Sequence, residues 1–362
     1  MIVSQLWLTD FRNYTAAELS LSEGCTVVIG ANGQGKTNLV EALSFLATLQ
    51  SFRNVTHDAL VRTDADNAVV RAEVLHDDGR KMLIEAEVPR RGRVRAQVNR
   101  QRLARTADLL GAVRVSVFSP DDLVLVKGSP TERRRYLDET LVALVPAKAT
   151  LLADVERVLR QRAALLKQAG GRLSTDIELT LDVWDDKLAT LGTRLGNERM
   201  QLVAELEPLV ANAYRSLAGR DVAVGLIYEP AWRVGEGLRS ALQAARTDDV
   251  RRQVNSVGPH RDDIDVVLTD LPARTHASQG EQRTMALALK LAAHRLVTDR
   301  HGEAPVLVLD DVLSELDESR ATALLGNLPR GQILITTASA IPAAARPDRV
   351  VTVRAGSIVP TP

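Results

Sequence analysis

Gly30-Ala31-Asn32-Gly33-Gln34-Gly35-Lys36-Thr37 fits the pattern G-x-x-x-x-G-K-[ST], and its surroundings fit as well as its letters. Thr26-Val27-Val28-Ile29 before it is a β-branched run that reads as a short buried strand. Asn38 to Leu49 after it carries Leu39, Val40, Leu43, Leu46 and Ala47 at the spacing of a helix with one buried face. Strand, glycine loop and helix are the arrangement that a bound phosphate needs. Glycines let backbone N–H groups turn inward around the anion, and the helix N-terminus adds partial positive charge. Gly30, Ala31, Asn32, Gly33, Gln34, Gly35, Lys36, Thr37 and Asn38 are therefore the expected cradle. Lys36 is expected on the β- and γ-phosphates, and the Thr37 hydroxyl on Mg²⁺.

The totals narrow the setting. The chain has 362 residues, enough for two or three domains that each bury a core. No run of 18 apolar residues suggests a membrane span, and Met1 to Gln5 lacks the basic and apolar regions of a signal peptide. Cys25 is the single cysteine, which excludes an internal disulfide and suits a reducing compartment. A cytoplasmic protein with no membrane partner is expected. Forty-six basic residues balance 46 acidic ones, so any nucleic-acid site must be a local patch.

Ile2 to Thr9 reads as a strand, Phe11-Arg12-Asn13-Tyr14 as a turn, and the segment through Leu19 and Leu21 as a second strand. Arg12 is a candidate for the nucleotide edge; a plain surface arginine is the other reading. Residues 68–98 read as an antiparallel meander with turns at Asp77-Asp78-Gly79 and Arg91-Gly92. Its last hairpin holds Arg90, Arg91, Arg93 and Arg95, followed by Arg100, Arg102 and Arg105, with no acidic residue between them. Two readings stay open: contacts to a DNA phosphate backbone, or an edge protected by charge against aggregation. Val113 to Phe118 reads as a further buried strand.

Beyond Ser129-Pro130, leucines recur at three and four through Leu166. After Gly170-Gly171 they resume from Leu181 to about Leu217. This predicts an arm at 131–220, an antiparallel pair of helices of about 22 residues and about 33 Å each. Gly192 and Gly196 in the second helix suggest close helix contact. The arm interrupts a head formed by 1–130 and 221–362. His260, in the turn Gly258-Pro259-His260-Arg261-Asp262-Asp263, is given no role.

Two later motifs complement the phosphate loop. Ser278-Gln279-Gly280-Glu281 opens a long helix; read alone it is a helix N-cap, and next to a phosphate it is an anion site. Val306-Leu307-Val308-Leu309 is a buried strand that ends in Asp310-Asp311. At the C-terminal end of a parallel strand, Asp310 is expected on Mg²⁺ and Asp311 as acceptor of a proton from the attacking water.

These pieces in this order resemble the ABC-type ATPase head, an α/β fold of mixed sheet, flanking helices and antiparallel meander. That resemblance implies ATP as ligand and a site completed in trans, so that Ser278, Gln279 and Gly280 meet the nucleotide of a second molecule in an ATP-driven homodimer. The inserted arm favours the chromosome-maintenance and DNA-repair branch. Four stretches narrow it: Phe11 to Tyr14; Phe118 to Leu123 with Lys127 to Asp138; Gly258 to Asp263; and Asp310 to Asp317. Together they resemble the RecF family. The family resemblance implies a DNA-binding recombination mediator at single-strand gaps in duplex DNA. It implies RecR and RecO as partners, and support for RecA loading, repair, replication restart and the SOS response. A small-molecule phosphotransferase is the alternative from a different class. Two departures from the broader ABC pattern stand out. Asp311 occupies a position where glutamate is usual, and Asp121 and Asp122 lie where a Mg²⁺-sensing glutamine is usual.

Overall fold

Alternating apolar residues in the first ninety positions build one layer. In the computed structural model, which describes residues 1–359 apart from 229, 231, 233–235 and 339, β1 (Ile2–Phe11) pairs antiparallel with β2 (Tyr14–Ser20) and with β4 (Asn67–Leu75). β5 (Lys81–Pro89), β6 (Arg95–Val98) and β7 (Gln101–Arg102) complete a sheet of order β2-β1-β4-β5-β6-β7. One face is buried, so β4 reads in–out along its length.

The second sheet is mostly parallel, and its central strands are apolar without alternation because both faces are covered there. Its order is β15-β14-β3-β13-β12-β8. The members are β3 (Cys25–Ile29), β8 (Val115–Phe118), β12 (Val306–Asp310), β13 (Ile333–Thr337), β14 (Arg349–Arg354) and β15 (Ser357–Val359). β3 is flanked by β13 and β14, so an N-terminal strand lies between two C-terminal ones. Helix α1 (Lys36–Thr48) packs on strands of both sheets. This differs from the expected single buried face: Ala42, Phe45, Glu41 and Ser44 are buried along with Leu39 and Leu43. A helix between two sheets has no solvent side. Val3, Leu6, Val70, Val74, Val306 and Val308 share one core with it.

The chain divides into two compact units, 1–122 with 213–221 and 287–362, and 123–212 with 222–286. Residues 222–286, expected with the head, cluster with the helices instead. The second unit contains α2 (Val124–Lys127), α3 (Pro130–Leu144) and α4 (Lys148–Gln168). α5 (Thr175–Ala218) runs 44 residues, about 66 Å at 1.5 Å per residue, twice the expected length. Beside α4 and α5 packs α6 (Leu238–Arg252), whose Leu238 and Leu242 meet Val158 and Leu188. The arm is therefore not a two-helix coiled coil. A small sheet, β11-β10-β9, joins β9 (Val224–Ile227), β10 (Asp265–Leu268) and β11 (Leu271–Pro272). α7 (Ala273–His276) leads into α8 (Gln279–His301), and α9 (Glu318–Gly326) follows β12. Gly192 does mark a close approach: a Cβ there would lie 2.7 Å from Leu238 Cδ2, and one at Gly196 would lie 2.6 Å from Trp232 Cζ2.

Arg162 of α4 has no solvent exposure. Its Nε donates to Asp185 at 2.7 Å, and its Nη1 donates to Asp249 at 2.6 Å and Asn255 at 2.8 Å. One guanidinium thus joins α4, α5 and α6. Arg162→Met leaves the buried Asp249 with no arginine, only Ser256, and Asp185 with Arg246 alone, and is expected to cost about 3–5 kcal/mol. Urea unfolding of the full chain measures this; an unchanged midpoint would show that the triad is not what holds the three helices.

Candidate nucleotide-binding site

β3 delivers the glycine loop at the C-terminal edge of the parallel sheet, beside the ends of β12 and β13. Gly35, immediately before α1, has φ 120°, and a Cβ there would lie 2.8 Å from both Asn13 Nδ2 and the Tyr14 hydroxyl. No side chain caps α1, so its first N–H groups remain available to an anion. Lys36 folds back over the loop, its Nζ donating to the carbonyls of Gly30 at 2.8 Å and Ala31 at 3.1 Å.

Thr37 and Asp310, 273 residues apart, meet: Thr37 Oγ1 donates to Asp310 Oδ1 at 3.2 Å. Thr336 at the end of β13 donates to the same oxygen at 2.7 Å. Burial pushes the Asp310 carboxyl above the usual carboxylate range, and the two hydroxyls pull it back. Asp311 stands in the left-handed region, φ 55°, which aspartate tolerates better than most residues. Its N–H donates to the Thr336 backbone carbonyl at 3.2 Å and hydroxyl at 3.1 Å. Its Oδ1 is buried with no hydrogen-bond partner. An oxygen-only pair, Thr37 and Asp310, suits a hard cation of the Mg²⁺ kind, whose remaining ligands are phosphate and water. Among the described residues no cluster of three or more His, Cys, Asp or Glu offers an all-protein metal cage.

The turn after β1 grips the loop. Asn13 Nδ2 donates to the Gln34 carbonyl at 3.0 Å, Asn38 Nδ2 donates to Asn13 Oδ1 at 2.8 Å, and the Tyr14 hydroxyl donates to the Gly35 carbonyl at 3.1 Å. From the other side, the N–H of Ala355 donates to Gln34 Oε1 at 2.6 Å and that of Gly356 to the Gln34 carbonyl at 2.9 Å. Arg12 lies next to this clamp with its guanidinium engaged: Nε and Nη2 donate to the buried Glu41 at 2.7 Å each, and Nη1 to the Ala59 carbonyl at 2.8 Å. Asn13, Glu41, Thr336 and the 355–356 turn hold candidate site residues in place, and the sequence reading does not reach them. Asn13 stands inside the Phe11 to Tyr14 motif, and Glu41 is a lone carboxylate in an apolar helix; both are usable signals.

Ser278, Gln279 and Gly280 belong to the second unit. Ser278 N–H and Oγ both donate to Glu281 Oε2 at 2.8 Å, and the Glu281 N–H returns to Ser278 Oγ at 3.3 Å. This is a capping box, with the serine exposed at the start of α8. Asp122 accepts the Ser119 N–H at 2.7 Å and lies 3.2 Å from Lys290 Nζ. Arg90, Arg91, Arg93 and Arg95 are exposed around β6, near the β7 edge of the antiparallel sheet. Arg90 donates to the carbonyls of Ala65 and Arg62, and Arg95 pairs with Glu87.

The family model for the RecF/RecN/SMC N-terminal domain matches residues 2–356. The DNA replication and repair protein RecF of Streptomyces avermitilis is 44% identical over 353 residues, covering 94% of each chain. That of Frankia alni is 44% identical over 355 residues, covering 93% of each. A solved structure of the recombination mediator protein RecF-ATP in the RecFOR pathway superposes with a TM-score of 0.91 at 30% identity, covering 99% of this chain and 96% of that one. An Smc head from Pyrococcus furiosus, at 17% identity and a TM-score of 0.58, shares the fold over 98% of this chain and 94% of its own. Built on an ABC-type ATPase fold, the chain belongs to the RecF family of the RecF/RecN/SMC group.

Proposed function

We propose that this protein is an ATP-dependent DNA-binding recombination mediator, a homodimer closed by ATP on gapped or double-stranded DNA and released by slow hydrolysis. The observation that carries the reading is the Thr37–Asp310 hydrogen bond: it joins the phosphate loop to the acidic strand end, the two halves of a nucleotide hydrolase site. Gly30 to Asn38 cradle the phosphates through backbone N–H groups. Lys36 exchanges its loop carbonyls for phosphate oxygens, and Arg12, held by Glu41, lines the nucleotide edge. Thr37 and Asp310 would hold Mg²⁺, which when bound neutralises phosphate charge. Asp311 Oδ1, buried and unpartnered, accepts a proton from the attacking water.

Ser278, Gln279 and Gly280 complete the site in trans, with the start of α8 facing the γ-phosphate of a second molecule. The arginine-rich edge contacts DNA phosphates. Partners equivalent to RecR and RecO follow from the pathway named for the solved relative, and RecA loading, repair, replication restart and the SOS response are the resulting roles.

Asp311→Asn is expected to bind ATP, remain dimeric and hydrolyse at least about tenfold slower; undiminished single-turnover hydrolysis would remove Asp311 from the base role. Ser278→Arg places a bulky charge against the opposing phosphate. It should still bind ATP at its own loop yet sediment as a monomer in ATP, and dimers of this variant would count against the trans site. Affinity for a labelled gapped duplex, at one salt concentration, should be much tighter in ATP than in ADP. Replacing Arg91 and Arg93 with alanine should flatten the log–log salt dependence by about 0.9 for each DNA phosphate no longer neutralised. An unchanged slope would return these arginines to the role of a solvated edge.

A further inference from the structure

The arginine-rich start of α3 and the turn at 258–263 have no part in the nucleotide chemistry, yet both are bound tightly within the second unit. Arg133 is 5% exposed. Its Nε and Nη2 donate to the two oxygens of Asp263 at 2.7 and 2.8 Å, and its Nη1 donates to the Gly128 carbonyl at 2.9 Å. Arg134 donates to the Asp262 carbonyl at 2.7 Å. From α5, Arg199 donates to the Pro259 carbonyl at 2.7 Å and to both oxygens of Asp138 on α3 at 2.8 and 2.7 Å. The Asp262 carboxylate accepts from the Tyr228 hydroxyl at 2.7 Å and Trp232 Nε1 at 3.0 Å. Burial works against the Asp263 carboxylate, but Arg133 and the Ile264 N–H outweigh it and hold its pKa below the usual range.

What this network fixes lies directly downstream. Asp263 is two residues from β10, which pairs with β11, and β11 runs into α7. α7 packs on β10 and β11 and is covered by α2, which also packs on α3. Gln282 Nε2 then donates to the carbonyls of Ala273 and Arg274 at 3.1 Å each, seating the first turn of α8 on α7. Ser278 sits between those two anchors. A bidentate arginine–carboxylate pair fixes direction as well as distance, so the pair sets where β10 starts, and the short path to Ser278 contains no long flexible loop.

We propose that Arg133, through Asp263, is a positioning residue for the Ser278 motif, setting the pose in which α8 meets the nucleotide of a second molecule. This rests on the trans reading of Ser278 above. ATP binding by a single chain uses the other unit and should be untouched.

The test compares ATP affinity with ATP-driven dimerisation in the full-length protein, by nucleotide titration and sedimentation velocity. Arg133→Met is expected to keep the parental ATP affinity at protein concentrations where both proteins are monomeric, while dimerising in ATP at least about tenfold more weakly. Asp263→Asn, at a carboxylate one-third exposed, is the milder variant should Arg133→Met fail to fold, and should show the same split at smaller size. The charge-swapped protein, Arg133→Asp with Asp263→Arg, should regain dimerisation, which a general loss of stability would not allow. Parental dimerisation in both single variants, or no recovery in the swap, would overturn the inference. Ser278→Arg run in parallel separates the causes. If it dimerises in ATP the trans reading fails and takes this inference with it. If it stays monomeric while Arg133→Met and Asp263→Asn dimerise normally, only the positioning role fails.

Discussion

One carboxylate oxygen, Asp310 Oδ1, ties the nucleotide site together. It accepts hydroxyls from Thr37 and Thr336, so the helix after β3 and the ends of β12 and β13 are held at a single point. A buried carboxylate without such donors would be costly. The strand register makes the meeting possible: Asp310 stands opposite Thr336, and Thr337 opposite Ile29, the residue before the glycine loop. The site therefore cannot form until the first and last thirds of the chain have paired into one sheet. That is the physical reason the motifs can lie so far apart in sequence and still act as one.

What could be read without coordinates followed from local pattern. The glycine loop, the apolar strand ending in Asp310-Asp311 and the antiparallel meander each carry their signal within about ten residues, because turn chemistry and side-chain period are local properties. What could not be read depends on what lies across the fold. α1 shows a helical period with one apolar face, and only the second sheet above it explains why Glu41 and Ser44 are also buried. α6 lies in the stretch expected with the head, and its charge-dominated composition gives no sign that it packs as the third member of the arm. Arg246 and Arg162 turn that charge inward onto Asp185, which no periodicity shows. Arg12 is the sharpest case: no local pattern shows that its guanidinium is held by a carboxylate 29 residues later.

The two units are stabilised in different ways. One core runs through α1 and both large sheets, whereas the helices of the second unit add to their buried leucines and valines a set of buried ion pairs around Arg162 and Arg199. Ion pairs of this kind contribute little net energy compared with apolar packing, but they tolerate few alternative geometries. On the proposed reading, a unit that must present Ser278 in one pose gains from that restriction. The unit proposed to bind phosphate gains instead from an apolar core beneath a loop of backbone donors.

Asp311 shows how the two demands meet. Its left-handed backbone is held by two hydrogen bonds to Thr336, and an aspartate accepts that conformation at less cost than most side chains. The same residue is one methylene shorter than the glutamate usual in ABC heads. Its Oδ1 is buried and unpartnered, so it is desolvated and ready to accept a hydrogen bond. Its short reach gives it little freedom to follow a water as the reaction proceeds. As the proposed base, Asp311 would accept a proton slowly, while the glycine loop and Asp310 stay the same whichever acid stands at this position. On the proposed reading, affinity for ATP and the lifetime of the ATP state are set by different atoms: the loop and Asp310 govern closure, and the length of a single side chain governs how long the closed state lasts.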